Sequence, residues 1–430
     1  MQSISIQEAL DEGNEEVALH GWVYRERGSN VRKFIVLRDS SNVIQCVLQK
    51  EDFSEEEWKR IDKLSIESSV EIFGTLKKDE RAPTGYEVAV KKINIIQTAE
   101  KYPITKDQSS EFLLDMRHLW VRSRRLTAVM KIRGTVMQAF REFYDKNGFV
   151  EMEPPILTPT ACEGGATLFE VKYYNNKAYL TQSWQLYAEA AIFALEKIYC
   201  VSPCFRAERS KTSRHLSEFW MAEMEAAWME LPDLLKSAEE CVAHIVMRVV
   251  EKNLAELELL GQDIKKLEKV KTPFPKITYT EALKILNEKE GLKIPWGKDL
   301  RTIEEDSLTK HFDRPVIVTN YPKEIMAFYK PQDPKDPKTA LCFDMIAPEG
   351  YGEIIGGSQR ETNVEDLKKW LRKQGEKIEN YEWYFDLRKY GSIPHSGYGL
   401  GVERVVAWLC KLDNIKDAIP FPRTMLRFKP

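Results

Sequence analysis

Ile198-Tyr199-Cys200-Val201-Ser202-Pro203-Cys204-Phe205-Arg206-Ala207-Glu208, a polar loop, and then Arg214-His215-Leu216-Ser217-Glu218-Phe219 form the stretch that decides the fold of this 430-residue chain. The apolar run Ile198–Val201 reads as a strand that delivers an arginine and a glutamate. A loop carrying Arg209, Lys211, Arg214 and His215 turns back into a second strand. Such a pair gathers several positive donors around a point where a polyphosphate fits, and Phe219 offers a face for a base. Far downstream, Gly397-Tyr398-Gly399-Leu400-Gly401-Val402-Glu403-Arg404 supplies bare backbone and one more arginine.

The glycine run has simpler explanations to weigh. It is not a dinucleotide fingerprint, because its spacing is Gly-x-Gly-x-Gly and no βαβ unit surrounds it. It is not a P-loop, because no Gly-Lys-Ser/Thr follows. Tight strand–helix packing is the remaining structural explanation. Taken with Arg206 and Phe219, an arginine that opens a helix after Gly399 and Gly401 suits stacking on a base opposite an aromatic ring.

Working outward, residues 1–100 read as a separate unit. Val17–Tyr24, Lys33–Asp39, Val43–Leu48, Ser69–Gly74 and Tyr86–Val90 are short alternating strands, with one helical stretch, Glu55–Leu64, between the third and fourth. That order fits a five-stranded, closed oligonucleotide-binding (OB-type) β-barrel. Residues 101–117 read as a hinge or linker containing Pro103. Residues 118–430 read as an α+β domain built on a mostly antiparallel sheet flanked by helices, among them Leu126–Asn147, Trp184–Leu195 and Leu231–Leu257. Gly148–Leu157 reads as a helix stop, a strand and a proline-fixed turn.

Bulk properties exclude several classes. No apolar run is long enough to span a bilayer, and Met1–Asp11 lacks the features of a secretory signal. Seven scattered cysteines, with only Cys200 and Cys204 close in sequence, suit reduced packing residues of a cytoplasmic protein rather than a zinc site. The net charge of −3 does not advertise nucleic-acid binding. Two local basic clusters remain: Arg25, Arg27, Arg32, Lys33 and Arg38, and then Arg117, Arg122, Arg124, Arg125, Lys131 and Arg133. Each is either a solvated face or a phosphate contact.

These motifs give the chain a specific resemblance over nearly its whole length. It resembles the asparaginyl-tRNA synthetases of the archaeal/eukaryotic kind, class II enzymes in the subclass shared with the aspartyl and lysyl synthetases. Gly148–Leu157 resembles motif 1, whose proline corresponds to Pro155 at the interface of a homodimer. Phe205–Glu208 with Arg214–Phe219 resembles motif 2, and His395–Arg404 resembles motif 3.

The resemblance implies ATP-dependent activation of L-asparagine and its transfer to tRNA(Asn), with Mg²⁺. It implies that Arg206 holds the α-phosphate and the substrate carboxylate, and that Phe219 and Arg404 sandwich adenine. Arg214 and His215 would reach the outer phosphates, and Glu208 the adenine end. His215 could equally be a surface loop histidine. Glu353 is the expected metal ligand, with Asp344 beside it. Gly356 departs from the serine that helps to bind metal in aspartyl relatives.

Specificity is expected from Glu223 and Arg360, an acceptor and a donor for an amide, with Glu163, Ser183 and Gln185 around the substrate ammonium. Glu223 has a structural alternative as an ordinary strand carboxylate. Ala188 stands where aspartyl enzymes place a lysine. In the barrel, Phe34 resembles the aromatic that stacks on an anticodon base, with Gln45 and Glu87 as base readers and Arg25 on the backbone. Phe34 as barrel core is the alternative. Three rivals follow. An aspartyl enzyme, charging one or both tRNAs, is disfavoured by Ala188 and Glu223. An AMP-forming asparagine ligase would need no N-terminal barrel. A silent RNA-binding module would not need Arg206, Glu353 and Arg404.

Overall fold

In a computed structural model, the chain divides into two compact units, Met1–Met116 and Arg117–Pro430. The description covers residues 2–13, 15–162, 167–209 and 214–430.

The first unit is a closed barrel of β1 (Glu16–Gly28), β2 (Arg32–Arg38), β3 (Val43–Gln49), β4 (Ser69–Lys78) and β5 (Tyr86–Gln97), in the order β1-β2-β3-β5-β4. The expected strands are all present. Several run further than the apolar pattern suggests, because their outer ends alternate toward solvent and carry polar residues. The helix Glu55–Asp62 lies between β3 and β4 and starts with a Ser54–Glu57 capping box. Ile35, Leu37, Ile44, Cys46, Leu48 and Val88 fill the interior. Phe34 is half-buried on the opposite face of β2, so it is not barrel core.

The second unit contains β6 (Val150–Glu151), β7 (Leu157–Thr158), β8 (Glu170–Tyr173), β9 (Asn176–Leu180), β10 (Lys197–Phe205), β11 (Glu218–Ala227), β12 (Lys276–Thr278), β13 (Val316–Thr319), β14 (Cys342–Ala347), β15 (Gly352–Gln359) and β16 (His395–Gly401). Among the described residues, an eight-stranded sheet runs β12-β13-β14-β15-β16-β11-β10-β6. Within that sheet, among the described residues, only β12·β13 and β6·β10 pair in parallel. One face packs Met224, Phe343, Ile355, Tyr398 and Leu400 with the helices Arg124–Lys146 and Leu231–Lys252.

The second of those helices stops at Asn253, and a separate turn, Leu254–Leu259, follows. Sequence periodicity reads through this break because the apolar spacing continues. Asparagine instead competes with helical backbone bonding, and Asn253 is buried there. The helix Gln185–Leu195 starts one residue later than expected, because Ser183 and the Trp184 N–H are tied to Glu223.

Candidate active site

The register of the eight-stranded sheet builds the floor of the site. Asp344 faces Gly356, Gly356 faces Gly399, and Gly399 faces Glu223 across four adjacent strands. Directly opposed residues share a face. One row therefore places two carboxylates on either side of two glycines. In the next row, Ser358 faces Gly397 and Gly397 faces Glu225. The glycines make room for the acids. A Cβ at Gly399 would meet Met221 Cε at 2.5 Å and Glu223 Oε1 at 3.2 Å. A Cβ at Gly397 would fall inside the contact distance of Glu225 Oε2 and the Met224 carbonyl. The glycine run thus gives space to side chains of β11, a role that its spacing alone does not reveal.

Above this floor lie two adjoining cavities. The smaller, about 100 Å³, is lined by Arg206, Arg214, His215, Phe219, Gly399, Gly401 and Arg404 among others. The larger, about 570 Å³, is lined by Ser183, Gln185, Glu223, Asp344, Gly356 and Arg360 among others. Arg206, Met221, Glu353 and Gly399 line both. The two distant arginines, 206 and 404, therefore share one cleft. The Arg206 guanidinium lies over the Phe219 ring, 5.4 Å from its centroid. Arg404 Nη1 donates to the Glu353 carbonyl at 3.1 Å. Its helix, Val402–Leu409, is anchored by the buried Glu403, which pairs with Arg133 at 2.7 Å and accepts from the Trp220 N–H.

The arginine-rich loop is partly engaged. Arg214 Nη2 donates to Asp306 Oδ1 at 2.7 Å and to the Gly350 carbonyl, and Nη1 lies 3.7 Å from Glu305. His215 Nε2 is 3.8 Å from Glu208. Burial, and then the Arg404 charge, lower the His215 pKa, while Glu208 works in the opposite direction. Glu208 and His215 also line a small recess with Arg206, Ser217 and Thr424. Glu163 lies outside the described residues.

Glu305, on the helix Thr302–Thr309, stands beside Arg214 at the edge of the site, a residue with no local motif to flag it. Burial, and then the Glu353 carboxylate, push its carboxyl up to about 7 from an ordinary 4.5. A carboxyl that ionises later in the folded chain costs stability as pH rises through this window. Glu305→Gln should therefore gain stability over the parent, by roughly 3 kcal/mol, between about pH 4.5 and about pH 8. Urea denaturation at several pH values checks this, and parallel stability curves would refute it.

The larger cavity mixes acids and cations. Burial, and then Glu353, push Asp344 well above the ordinary carboxylate range, while the Lys330 ammonium works in the opposite direction. Lys330 and Asp299 also line the cavity. The absence of a lysine at position 188 thus does not leave the cavity without a second cation. Ala188 itself packs in the core with Trp184 and Ile192. A Cβ at Gly356 would lie 2.8 Å from Glu353 Oε1 and 3.6 Å from Asp344 Oδ1. The two carboxylates converge on that space, which suits a hard divalent cation.

Glu223 does two things at once. It lines the cavity, and it accepts from Ser183 Oγ at 2.6 Å and from the Trp184 N–H at 3.1 Å. Arg360 donates from Nε and Nη2 to both oxygens of Glu225, at 2.9 and 2.7 Å, and from Nη1 to Ser358 at 3.1 Å. The Tyr329 ring lies beneath its guanidinium at 5.3 Å. Glu225, Glu189 and His395 bring ligand-type atoms within 4.8 Å of one another. Arg360 and Arg388 occupy their oxygens, which makes the cluster an ion-pair network.

In the barrel, Phe34 pairs across the sheet with Arg27 and Val47, and Gln45 pairs with Val36 and Glu87. Arg27 and Arg32 lie over the Phe34 ring, at 4.9 and 5.9 Å. Gln45 Nε2 donates to Glu87 Oε2 at 2.9 Å. Arg25 is exposed beside Val36 on the same outer face. The basic clusters divide sharply. Lys33 donates to two carbonyls beneath the surface, and Arg38 pairs with Glu67 at 2.9 Å. Arg117 is buried against Asp417 and three carbonyls, and Arg133 against Glu403. These four are structural, whereas Arg25, Arg27 and Arg32 remain at the surface.

Comparison with known proteins places this geometry. Residues 109–425 match the family described as tRNA synthetases class II (D, K and N), and residues 17–96 match the OB-fold nucleic acid binding domain. The asparagine–tRNA ligase of Thermococcus kodakarensis is 54% identical over 417 residues, covering 97% of this chain and 96% of the relative. That of Thermoplasma acidophilum is 49% identical over 415 residues, covering 96% of each. The crystal structure of asparaginyl-tRNA synthetase from Pyrococcus horikoshii complexed with asparaginyl-adenylate superposes with a TM-score of 0.96 at 48% identity, covering 100% of both chains.

Proposed function

This chain belongs to the class II tRNA synthetases of the aspartyl, lysyl and asparaginyl group, and from that premise we propose that it is an asparagine–tRNA ligase. It activates L-asparagine with ATP to asparaginyl-adenylate and pyrophosphate, then transfers the acyl group to the 3′-terminal adenosine of tRNA(Asn). The observation that carries this is the meeting of the two cavities at Arg206 and Glu353. A nucleotide in one and an amino acid in the other would touch at that wall, where the new acyl–phosphate bond forms.

Little proton transfer is needed in the first step. The barrier falls mainly through in-line positioning and neutralisation of charge. Arg206 suits the α-phosphate and the substrate carboxylate. Phe219 and Arg404 suit the two faces of adenine, and Arg214 the outer phosphates once it leaves Asp306. His215 suits a hydrogen bond to an outer phosphate. Glu353 and Asp344 would hold Mg²⁺, which supplies charge neutralisation at the phosphates. Around the amino acid, Ser183, Gln185, Glu223 and Arg360 line the cavity, and Glu163 is assigned to the ammonium from its sequence motif.

The amide substrate is favoured over aspartate because the Glu223 carboxylate, which lines the cavity, would repel a second acid. Like charges in a desolvated site cost several kcal/mol, roughly. ATP–pyrophosphate exchange should respond to asparagine and not to aspartate; a predominant aspartate response would overturn the assignment. Glu223→Gln should lower that preference by about tenfold, since it removes one charge but keeps the shape. An unchanged ratio would remove Glu223 from the role.

The outer face of the barrel suits the anticodon loop. Stacking of a base on a ring is worth roughly 1–3 kcal/mol, and the cations around Phe34 suit the adjoining backbone. Phe34→Ala should lower aminoacylation efficiency for tRNA by roughly 10–100-fold and leave pyrophosphate exchange unaltered. A parallel loss of both activities would argue against this role.

A homodimer is supported by the exposed apolar residues Val150, Pro155 and Leu157 in the segment that resembles motif 1. Seven free, buried cysteines support work in the reducing cytoplasm. No helix among the described residues is long and apolar enough to cross a membrane.

A further inference from the structure

A layer of charge lies directly behind the amino-acid cavity, and the steps above use none of its central member. Glu189 has no exposed surface, and it sits one helical turn after Gln185. Its Oε1 accepts from Gln185 Nε2 at 2.9 Å. Its Oε2 accepts from the Tyr384 hydroxyl at 2.7 Å and from Arg388 Nη2, and lies 3.1 Å from His395 Nε2. Arg360 Nε is 3.9 Å from Oε1. Burial opposes the charge on Glu189, but Arg388, His395 and Arg360 outweigh it and hold the carboxyl below its ordinary range.

Two of the side chains that line the amino-acid cavity therefore meet at this one carboxylate. A carboxylate only accepts, so the Gln185 atom that faces it must be the NH₂ group. The Gln185 carbonyl oxygen is then the end left for the cavity. On the other side, Arg360 gives Nε and Nη2 to Glu225 and keeps Nη1 toward Ser358. The pocket thus presents an acceptor from Gln185 and a donor from Arg360, and neither amide nor guanidinium is free to turn.

We propose that Glu189 is a positioning residue that sets the polarity of the asparagine pocket by fixing the direction of Gln185 and backing Arg360. This rests on the asparagine assignment above. An amide at position 189 could offer either oxygen or NH₂ to Gln185, and the fixed direction would be lost. In Glu189→Gln, the KM for asparagine should rise about tenfold and the asparagine-over-aspartate ratio in pyrophosphate exchange should fall about tenfold, with the KM for ATP within about twofold. A purely structural role would lower the thermal midpoint and kcat but leave the ratio and the split between the two KM values unmoved.

Removing a buried charge can prevent folding, so Tyr384→Phe serves as the second variant. It deletes a single donor to Glu189 and should raise the asparagine KM about threefold, again without moving that for ATP. If folded Glu189→Gln keeps the parental asparagine KM and ratio, the inference is overturned. If Glu189→Gln does not fold, a Tyr384→Phe enzyme with parental asparagine KM overturns it equally. The parent enzyme runs alongside: failure of asparagine-dependent exchange there would sink the asparagine assignment itself, whereas normal parental exchange with unaltered variants sinks only the role of Glu189.

Discussion

Replacing Arg206 by alanine should lower asparagine-dependent ATP–pyrophosphate exchange by roughly 10²–10³-fold, with little change in the thermal midpoint. Arg206 lines both cavities and lies over Phe219, so its guanidinium stands where nucleotide and amino acid would be joined. Under the proposed mechanism, negative charge would be concentrated there as the carboxylate attacks phosphorus. A fixed donor in a desolvated site contributes most at that moment, because it needs no reorganisation. Arg206→Lys should recover only part of the loss, since a point charge cannot reproduce two parallel N–H donors. Stability should be nearly untouched, because Arg206 is only half-buried and its removal opens no core. Steady-state exchange and a melting curve on the same preparation check both halves. Parental exchange in the alanine variant would dismiss the shared-wall site altogether.

The second large effect is expected from one added methyl group. In Gly397→Ala the new Cβ runs into Glu225 Oε2 and the Met224 carbonyl. The carbonyl belongs to the sheet and cannot yield, so either Glu225 swings aside or β16 parts from β11. Either way the Glu225–Arg360 pair breaks between two groups that are almost fully buried. Breaking one side of such a pair costs roughly 3–5 kcal/mol, because an uncompensated charge stays inside. The melting midpoint should fall by several degrees or more. Arg360 would also lose its orientation, so asparagine-dependent exchange should drop by at least about a hundredfold. Differential scanning calorimetry and exchange assays test this pair of losses. A variant with parental stability would mean that the strands absorb the methyl group and that Gly397 is not the spacer described here.

Much of the molecule is legible from local sequence. The five barrel strands and their intervening helix follow from local apolar patterning, which spans only a few residues. Phe205–Phe219 and Gly397–Arg404 identify themselves because their chemistry lies within short segments that strand pairing then joins. Phe34 is a boundary case. Its strand is plain from the sequence, but whether it faces in or out depends on which alternate set, Ile35 and Leu37 or Phe34 and Val36, the closed barrel turns inward.

Other features belong to the tertiary structure alone. Arg117 and Arg133 read as a basic run, yet one is consumed by Asp417 and the other by Glu403, partners some 300 and 270 positions away. Lys330 and Asp299 reach the site from segments with no motif, and so does Glu305, which stands beside Arg214. Glu189 and Glu225 look like ordinary acids, a turn after Gln185 and two residues after Glu223. They become the backing of the pocket only where Arg360, Arg388 and His395 converge on them. The sequence by itself determined which elements form, which short motifs they carry and which family they resemble, because periodicity, capping and motif spacing act between neighbours along the chain. The tertiary structure decided which charges face a ligand and which brace the fold, because desolvation and ion pairing depend on everything packed within a few ångströms, and that set is assembled from the whole chain.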